Sequence, residues 1–401
     1  MFALQTETVH ITDTVKPVRE MAKQLDRTNI KILSAMWKYG PRNLLEVSRR
    51  TNIPFTSVYH RVAKLEARSR RVAYLIPNIS RFGMTRLVVL VTARSGYEDR
   101  AEAALKIPNW WWSINRCEGA FTHHSVHAVP VKFLDEFKEY LRSVLRLGLI
   151  TRFEIIQTGE QQPNFPNFKY YNPAANQWTI PWERWFNTLK KIKPQRTISD
   201  PDGYPNLADR KDLLIVKELE KNGRRRYTDL ASMLEMTLPG AKYRYDKRLI
   251  PNGIIGSFAL DVHPYPPEVS AYHEIMLEFT SESSLNKLVS LIDDLFFIIG
   301  FSKVLRKNTL IVRTTILQSQ LLSMFDFFSE MAKARMLNDF SSVRLDFSAR
   351  ETQTISYELF DDEEGWTFDL SRCLTELRRL RAPKKLLVKR NGRAAIERPR
   401  R

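Results

Sequence analysis

Apolar and polar positions alternate along this chain in two distinct rhythms. In residues 56–66, TSVYHRVAKLE, the apolar Val58, Val62 and Leu65 recur at helical spacing as one stripe, and Ser57, His60, Arg61 and Lys64 fall on the other side. Just upstream, NLLEVSRRTN (43–52) reads as a short helix and Ile53-Pro54 as the turn between the two. Such a pair predicts a helix-turn-helix, whose second helix enters a DNA major groove. An ordinary amphipathic helix with a solvated face gives the same stripe, so the pair alone does not decide. A helix over 24–39 precedes it, with Leu25, Ile32, Leu33 and Met36 at core spacing, and Gly40-Pro41 ends it. Downstream, RSRR (68–71) leads into VAYLIPNI, a predicted β wing whose arginines would reach phosphates or the minor groove.

From residue 86 the rhythm shortens. RLVVLVTA reads as a buried strand, YEDRAEAALKI as a helix, WWWSINRC and FTHHSVHAV as strands, KFLDEFKEYLRSVLRLG as a helix and TRFEIIQTG as a last strand. The order β-α-β-β-α-β is the ferredoxin-like split unit. Residues 161–208, rich in Pro, Asn and aromatics, read as an extended connector in which Trp178, Trp182 and Trp185 pack on a sheet or a neighbouring domain. Then the order restarts. Asp209-Arg210 opens a helix as Asp26-Arg27 does, 183 residues earlier, and Gly223 answers Gly40 at the same offset. YTDLASMLEM is the next helix and PGAKYRYDKRL the second reading helix, with Ala241 and Tyr245 in the places of Val58 and Val62 and with Tyr243, Arg244 and Lys247 facing outward. A second β-α-β-β-α-β order follows from YHEIMLEFT to SVRLDFS. Trp178-Thr179 returns 188 residues later as Trp366-Thr367. A repeat of this length is an internal duplication.

The fold expected is therefore α+β, with two tandem copies of a winged helix-turn-helix plus a ferredoxin-like (βαββαβ) domain forming a pseudo-dimer. The boundaries expected are 21–80 and 84–160 for the first copy, 161–208 for the connector, 209–262 and 270–350 for the second copy, 351–377 for a Trp-containing extension and 378–401 for a basic disordered tail. An antiparallel sheet covered by helices on one face must bury the other, and the second copy is the nearest partner.

Charge sharpens the picture. The chain carries a formal net charge of +18, unevenly placed: +9 within 21–75, +4 within 209–256 and +10 within 378–401, which leaves the remainder acidic. Positive charge concentrated on the two heads and the tail points to a polyanion partner bound with counterion release. The two cysteines, Cys117 and Cys373, give neither a disulfide framework nor zinc-ligand spacing. No secretory signal pattern opens the sequence and no apolar run approaches membrane-spanning length, so a cytoplasmic protein without membrane contact is expected.

LDRTNIKIL (25–33), the LLEVSRRTNI–TSVYHRVAKLE pair and the domain over 86–158 together resemble the Lrp/AsnC (feast/famine) transcription regulators, and residues 209–350 resemble them more weakly. The resemblance implies a DNA-binding regulator whose two subunits are fused, with double-stranded DNA as partner and further pairing of whole chains. It implies that Arg61 contacts backbone or base, that Ser57, Tyr59, His60 and Lys64 read sequence, and that Lys242, Tyr243, Arg244, Lys247 and Arg248 are their counterparts. Arg68, Arg70 and Arg71 are expected to hold the backbone. Arg248 stands where Leu65 would, so the second register is open by one residue, and Pro239-Gly240 departs from the pattern. The family's effector turn, a glycine followed by an aspartate, is not reproduced: Gly119 is followed by Ala120, Phe121 and Thr122, and the second copy has Arg306-Lys307-Asn308. A small-molecule effector of that kind is not expected.

No Gly-rich phosphate loop or nucleophile elbow is present. His123 and His127 share a strand face about 13 Å apart at roughly 3.3 Å per residue, and His124 points the other way, so they do not chelate one ion. The chain is expected not to be an enzyme and to carry no cofactor, metal or catalytic residue. The acidic run 361–364 reads as a solvated loop. Two alternatives stand beside the regulator. One is a nonspecific chromatin-type architectural protein. The other is a tetrapyrrole enzyme, because sirohaem decarboxylases resemble the same architecture; His123, His124, Arg116 and Arg306 would serve it, although that group's Tyr-Asn-x-Trp segment after the hairpin is not found.

Overall fold

The computed structural model describes residues 25–69, 72–175, 177–262, 265, 269–346 and 349–381. The expectations for 21–24, for Arg70 and Arg71 and for 382–401 lie outside the described residues, as does the side chain of Arg68.

The first head begins with α1 (Arg27–Tyr39), α2 (Leu44–Thr51) and α3 (Phe55–Ser69). Asp26 caps α1 by accepting the Asn29 amide at 2.7 Å. Asn52 ends α2 in the left-handed conformation, which turns the chain into α3. Val58, Val62 and Leu65 are buried as the stripe predicts. The wing strand β1 (Ala73–Ile76) follows.

The first sheet unit is β2 (Met84–Ala93), α4 (Glu98–Lys106), β3 (Trp111–Glu118), β4 (His123–Pro130), α5 (Leu134–Arg146) and β5 (Ile150–Thr158). Beyond it come β6 (Gln162–Pro163), a small hairpin β7 (Tyr171–Asn172) and β8 (Gln177–Trp178), and α6 (Trp182–Lys191). The connector is therefore not simply extended. Its Trp-containing segment is helical, because Trp185 and Leu189 at i and i+4 give that helix an apolar face to bury.

The second head has α7 (Arg210–Lys221), α8 (Tyr227–Met233), α9 (Leu238–Arg244) and the wing strand β9 (Ser257–Leu260). Thr237 caps α9 through the Gly240 amide and Pro239 sits in its first turn, where a missing N–H costs nothing. A π-helical turn over Tyr245–Leu249 continues α9. It absorbs one extra residue, so the buried Leu249 fills the place of Leu65 and the open register is settled.

The second sheet unit is β10 (Ser270–Phe279), α10 (Glu282–Leu291), β11 (Ile298–Lys303), β12 (Thr309–Leu317), α11 (Leu321–Lys333) and β13 (Leu337–Leu345). β13 starts five residues before the predicted SVRLDFS strand. Asn338, Asp339, Ser341 and Ser342 on it are exposed, so no apolar alternation marks its first half. The chain continues through β14 (Glu351–Thr352), a hairpin of β15 (Phe360–Asp361) and β16 (Gly365–Trp366), and α12 (Leu370–Arg381), so the first residues expected in the tail are helical.

Each unit has the ferredoxin-like strand order, β5-β2-β4-β3 and β13-β10-β12-β11, and the two join in one ten-stranded sheet. β3 pairs with β13 at Cys117–Leu345 and Glu118–Arg344. At the other edge Gly159 donates to the Lys303 carbonyl at 2.8 Å and Leu305 to that of Gln157 at 3.0 Å, which brings β5 back to β11. The two units thus meet along both edges. Along β2, Leu87, Val89 and Val91 join the core beneath α4 and α5. Val88 and Leu90 instead pack with Val126, Val304 and Ile311 between the sheets. A strand buried on both faces reads as a continuous apolar run. The α+β fold of two tandem copies closed into a pseudo-dimer is as the sequence predicts.

The halves also exchange their extensions. Trp178 stacks on Phe296 at 4.4 Å, and Trp182 and Trp185 of α6 pack on Phe297, all against the second unit. In return Trp366 meets Trp110 of the first unit at 5.5 Å and donates to the Phe82 carbonyl at 2.6 Å. The wings pair antiparallel, Ala73 opposite Leu260 through Ile76 opposite Ser257. Gly256 sits where a Cβ would come within 2.6 Å of the Ile76 carbonyl and 3.1 Å of the Asn78 nitrogen. Gly256→Ala must push two backbones apart; it is expected to cost about 1–3 kcal/mol, seen as a lower urea midpoint, and an unchanged midpoint would refute the close wing approach.

Candidate nucleic-acid interface and buried polar centre

The third helix of each head, α3 and α9, offers one polar face. On α3, Ser57, Tyr59, His60 and Lys64 are exposed, Tyr59 by 52 %. On α9 and the turn after it, Lys242, Tyr243 and Lys247 are exposed, Tyr243 by 62 %. Three arginines expected beside them are placed differently. Arg61 does not stand free on the outer face: its Nη1 donates to Asp26 at 2.7 Å and to Asn29 at 3.0 Å. Arg244 donates to Asp209 and Asp212 at 2.8–2.9 Å, and Arg248 reaches Asp212 at 2.8 Å. The first contact recurs at the 183-residue offset, Arg61 to Arg244, Asp26 to Asp209 and Asn29 to Asp212. In each head this arginine ties the reading helix to the cap of the first helix. Burial works to raise the Asp26 and Asp209 carboxyls, but the capped amides and the arginines bring both below their usual range.

The two heads lock together through residues that the sequence pattern did not single out. Arg42, in the turn before α2, donates to the Gly223 carbonyl at 2.8 Å and lies over the rings of Tyr227 and Tyr245 at 4.9 and 4.8 Å. Arg224, in the corresponding turn of the second head, donates to the Pro41 carbonyl at 2.7 Å and to Glu66 of α3 at 2.6 Å. A groove of about 750 Å³ runs between the heads, with Phe55, Tyr59 and Ala63 on one wall and Arg224, Arg225 and Arg226 on the other. The one signal for these residues was their place beside the repeated Gly40 and Gly223.

A second polar region lies between the sheets. His124 of β4 meets Glu274 of β10 at 2.5 Å, and Arg313 of β12 meets the other Glu274 oxygen at 2.7 Å. Burial alone would raise Glu274, yet His124 and Arg313 outweigh it and hold the carboxyl well below the usual carboxylate range. Nearby, Arg86 is 3 % exposed and donates to the hydroxyls of Thr158 and Ser302 at 2.9 and 3.2 Å. A cavity of about 580 Å³ opens from Arg86 and Arg313 toward β1, α7 and the segment 350–358. Glu274, inside an otherwise apolar strand, and Arg86, opening another, were the available signals for this centre.

The three histidines of β4 are buried. His123 lies 3.9 Å from Glu102, on the side of α4, and His127 packs on Phe137 of α5 at 5.0 Å between centroids, with its Nε2 3.0 Å from the Ser125 hydroxyl. His124 takes the opposite, inter-sheet face. Arg116 pairs with Asp99, and Arg306 sits in the β11–β12 turn with its amide on Asp200. The residues named for a tetrapyrrole enzyme therefore do not converge on one cavity. Among the described residues no group of three His, Cys, Asp or Glu side chains is placed to hold a metal ion. Asp361 turns the acidic run by accepting the Glu363 and Glu364 amides. Among the described residues no helix is long and apolar enough to cross a membrane.

The class this geometry defines is a duplicated winged helix-turn-helix and ferredoxin-like chain. No protein-family model matches the sequence, and no curated protein matches it. Solved structures do resemble the fold. The siroheme decarboxylase NirDL matches 87 % of this chain and 97 % of its own, at 13 % identity and a TM-score of 0.49. An AsnC family transcriptional regulator from Agrobacterium tumefaciens matches 33 % of this chain and 89 % of its own, at 14 % identity and a TM-score of 0.28. A transcriptional regulator from Neisseria meningitidis, in complex with L-Met, does so over 33 % and 88 %, at 19 % identity and a TM-score of 0.29. The expectation of a chain that is not an enzyme is corrected here: a solved structure that covers most of this chain is that of a decarboxylase.

One expected outcome tests the buried centre, and a second tests the helix-facing histidines, His127 against Phe137 and His273 of β10 against Phe325 of α11 at 5.6 Å between centroids. Glu274→Ala strands Arg313 without its carboxylate and should cost about 3–5 kcal/mol; a loss below 1 kcal/mol in urea titration would remove the centre from the fold's support. Burial, aided by a nearby charge, lowers His127 to about 3 and His273 to about 4, so in the folded chain both stay neutral where the unfolded chain binds protons. Stability present above pH 6.5 is then lost as pH falls toward 4, by about 1.4 kcal/mol per pH unit for each histidine. NMR signals of the His127 ring should stay constant from pH 7 to about 4.5, and those of His273 to about 5.5, while the urea midpoint falls; rings that titrate near 6.5 would contradict their burial.

Proposed function

We propose that the chain binds duplex DNA as a transcription regulator of the Lrp/AsnC type, working in the cytoplasm, with both reading heads supplied by one polypeptide. The observation that carries this reading is the paired heads, joined by the β1–β9 ribbon and by Arg42 and Arg224, with a polar and aromatic face left exposed on each reading helix. Ser57, Tyr59, His60 and Lys64 contact bases and phosphates from the first head, and Lys242, Tyr243 and Lys247 from the second. Arg61, Arg244 and Arg248 are positioning residues, since their charge is spent on Asp26, Asp209 and Asp212. Arg68, Arg70, Arg71 and the basic tail add phosphate contacts that carry no sequence information.

A second reading is an enzyme on the same architecture, favoured by the 580 Å³ cavity between sheets and heads, which is large enough for a substrate. Selection of the full-length protein against a randomised duplex pool at two salt concentrations tests the first reading. An enriched motif supports a sequence-specific regulator. Salt-sensitive retention without a motif favours an architectural protein, and no retention sinks DNA binding and leaves the cavity as the site to assay, beginning with an absorbance titration against sirohaem.

The roles are separable by mutation. Lys64→Ala should weaken duplex binding several-fold, lower the salt slope by about 1 and leave the melting temperature unchanged. Arg61→Ala should lower the melting temperature by about one degree, because it loosens a partly exposed pair worth about 1 kcal/mol or less in a chain of this length. A Lys64→Ala protein that binds as the parent does would remove α3 from the interface.

A further inference from the structure

The cavity beneath the heads has an unusual wall. Arg86, fully within the protein, makes no ion pair among the described residues: its Nη1 is held by two neutral hydroxyls and its Nε has no hydrogen-bond partner. The nearest acids are already committed. Glu160 accepts the Ile79 and Ser80 amides at 3.1 and 2.9 Å, and Glu274 is shared by His124 and Arg313. A guanidinium buried without a counter-charge is costly, and folds retain such a group where an anion completes it. With Arg86 the lining holds Lys217, Lys221, Arg313 and Arg350 against Glu160, Glu220 and Glu358; Lys217 is paired with Glu358, Lys221 with Glu218 and Arg313 with Glu274, which leaves the Arg86 charge without a paired acid on that wall.

We propose that this cavity binds a small organic polyanion, with one anionic group on Arg86 and its body against Trp112, Ile76 and Ile355. Carboxylates and phosphates share the chemistry that Arg86 recognises, planar or tetrahedral oxygens that accept paired N–H donors. The site lies away from the β3–β4 and β11–β12 turns, where the resemblance to regulators would have placed an effector. Its walls come from the first wing (Tyr74 to Ile76), the second head (Lys217 and Lys221), both sheets (Arg86 and Arg313) and the segment 350–358. An occupant therefore meets the first wing, the second head and both sheet units at once. The inference does not depend on whether the heads read DNA or the cavity performs chemistry.

Calorimetric titration of the full-length protein with citrate and, separately, with pyrophosphate tests it, in a buffer free of other polyanions and at matched ionic strength. At least one probe should bind saturably, raise the melting temperature and be ignored when replaced by sodium chloride; which probe binds tells carboxylate from phosphate. Arg86→Met should weaken binding about 10- to 100-fold, the range of a hydrogen bond to a charged group. If circular dichroism shows that Arg86→Met does not fold, Lys217→Met decides: it removes one lining cation outside the sheet core and should weaken binding several-fold. No saturable binding to the parent protein, or equal binding by the folded variants, overturns the proposal.

Discussion

Everything in this molecule depends on two four-stranded sheets that each bury one face beneath helices and have to bury the other against something. They bury it against each other. The apolar residues of β2 and β4 meet Val304, just past β11, and Ile311 of β12 between the sheets, and the edges are joined on both sides, which leaves neither ferredoxin-like unit with a long free edge. A duplication in one chain makes this closure intramolecular, so no concentration-dependent step is needed to form it. The polar cluster of His124, Glu274 and Arg313 crosses the seam.

From that seam the rest is arranged by exchange. The extension of the first half covers the second unit and that of the second half covers the first, with tryptophans at equivalent positions in the two copies doing the same work. The wings pair across the same pseudo-twofold relation. Heads held on both sides in this way are presented in a fixed mutual placement, whatever polymer or partner they meet. The tie between the reading-helix arginine and the cap of the first helix belongs to the same logic. It spends a charge that would otherwise face solvent, and it fastens the third helix of each head to the first.

The fold was largely legible before the structure. The stripe of Val58, Val62 and Leu65, the strand-helix alternation from residue 86 and the 183-residue offset between Asp26 and Asp209 state the elements, their order and the duplication. Periodicity reports which side of an element is apolar, and the stripes had only one way to be buried. Less of the sites was legible. Arg61 lies on the polar side of its helix, and the pattern cannot tell a side chain that faces DNA from one that turns back onto Asp26, 35 residues earlier. Arg244 and Arg248 were placed outward for the same reason. The extra residue in the second reading helix showed as a register ambiguity, and only the π-helical turn explains it. The expectation of a non-enzymatic chain rested on missing motifs, which cannot exclude catalysis built from residues gathered by the fold.

What the sequence determined by itself is what local chemistry dictates: caps, stripes, strand runs, the repeat and the segregation of positive charge. What only the tertiary structure decided is which charged groups are compensated. Glu274 and Arg313 share a partner arrangement, Arg42 and Arg224 join the heads, and Arg86 is left at the wall of a cavity with neutral hydroxyls for company. Those outcomes depend on distances between residues 30 to 220 positions apart, and Coulomb and desolvation energies at such contacts are set by burial and separation in space, which no one-dimensional pattern contains.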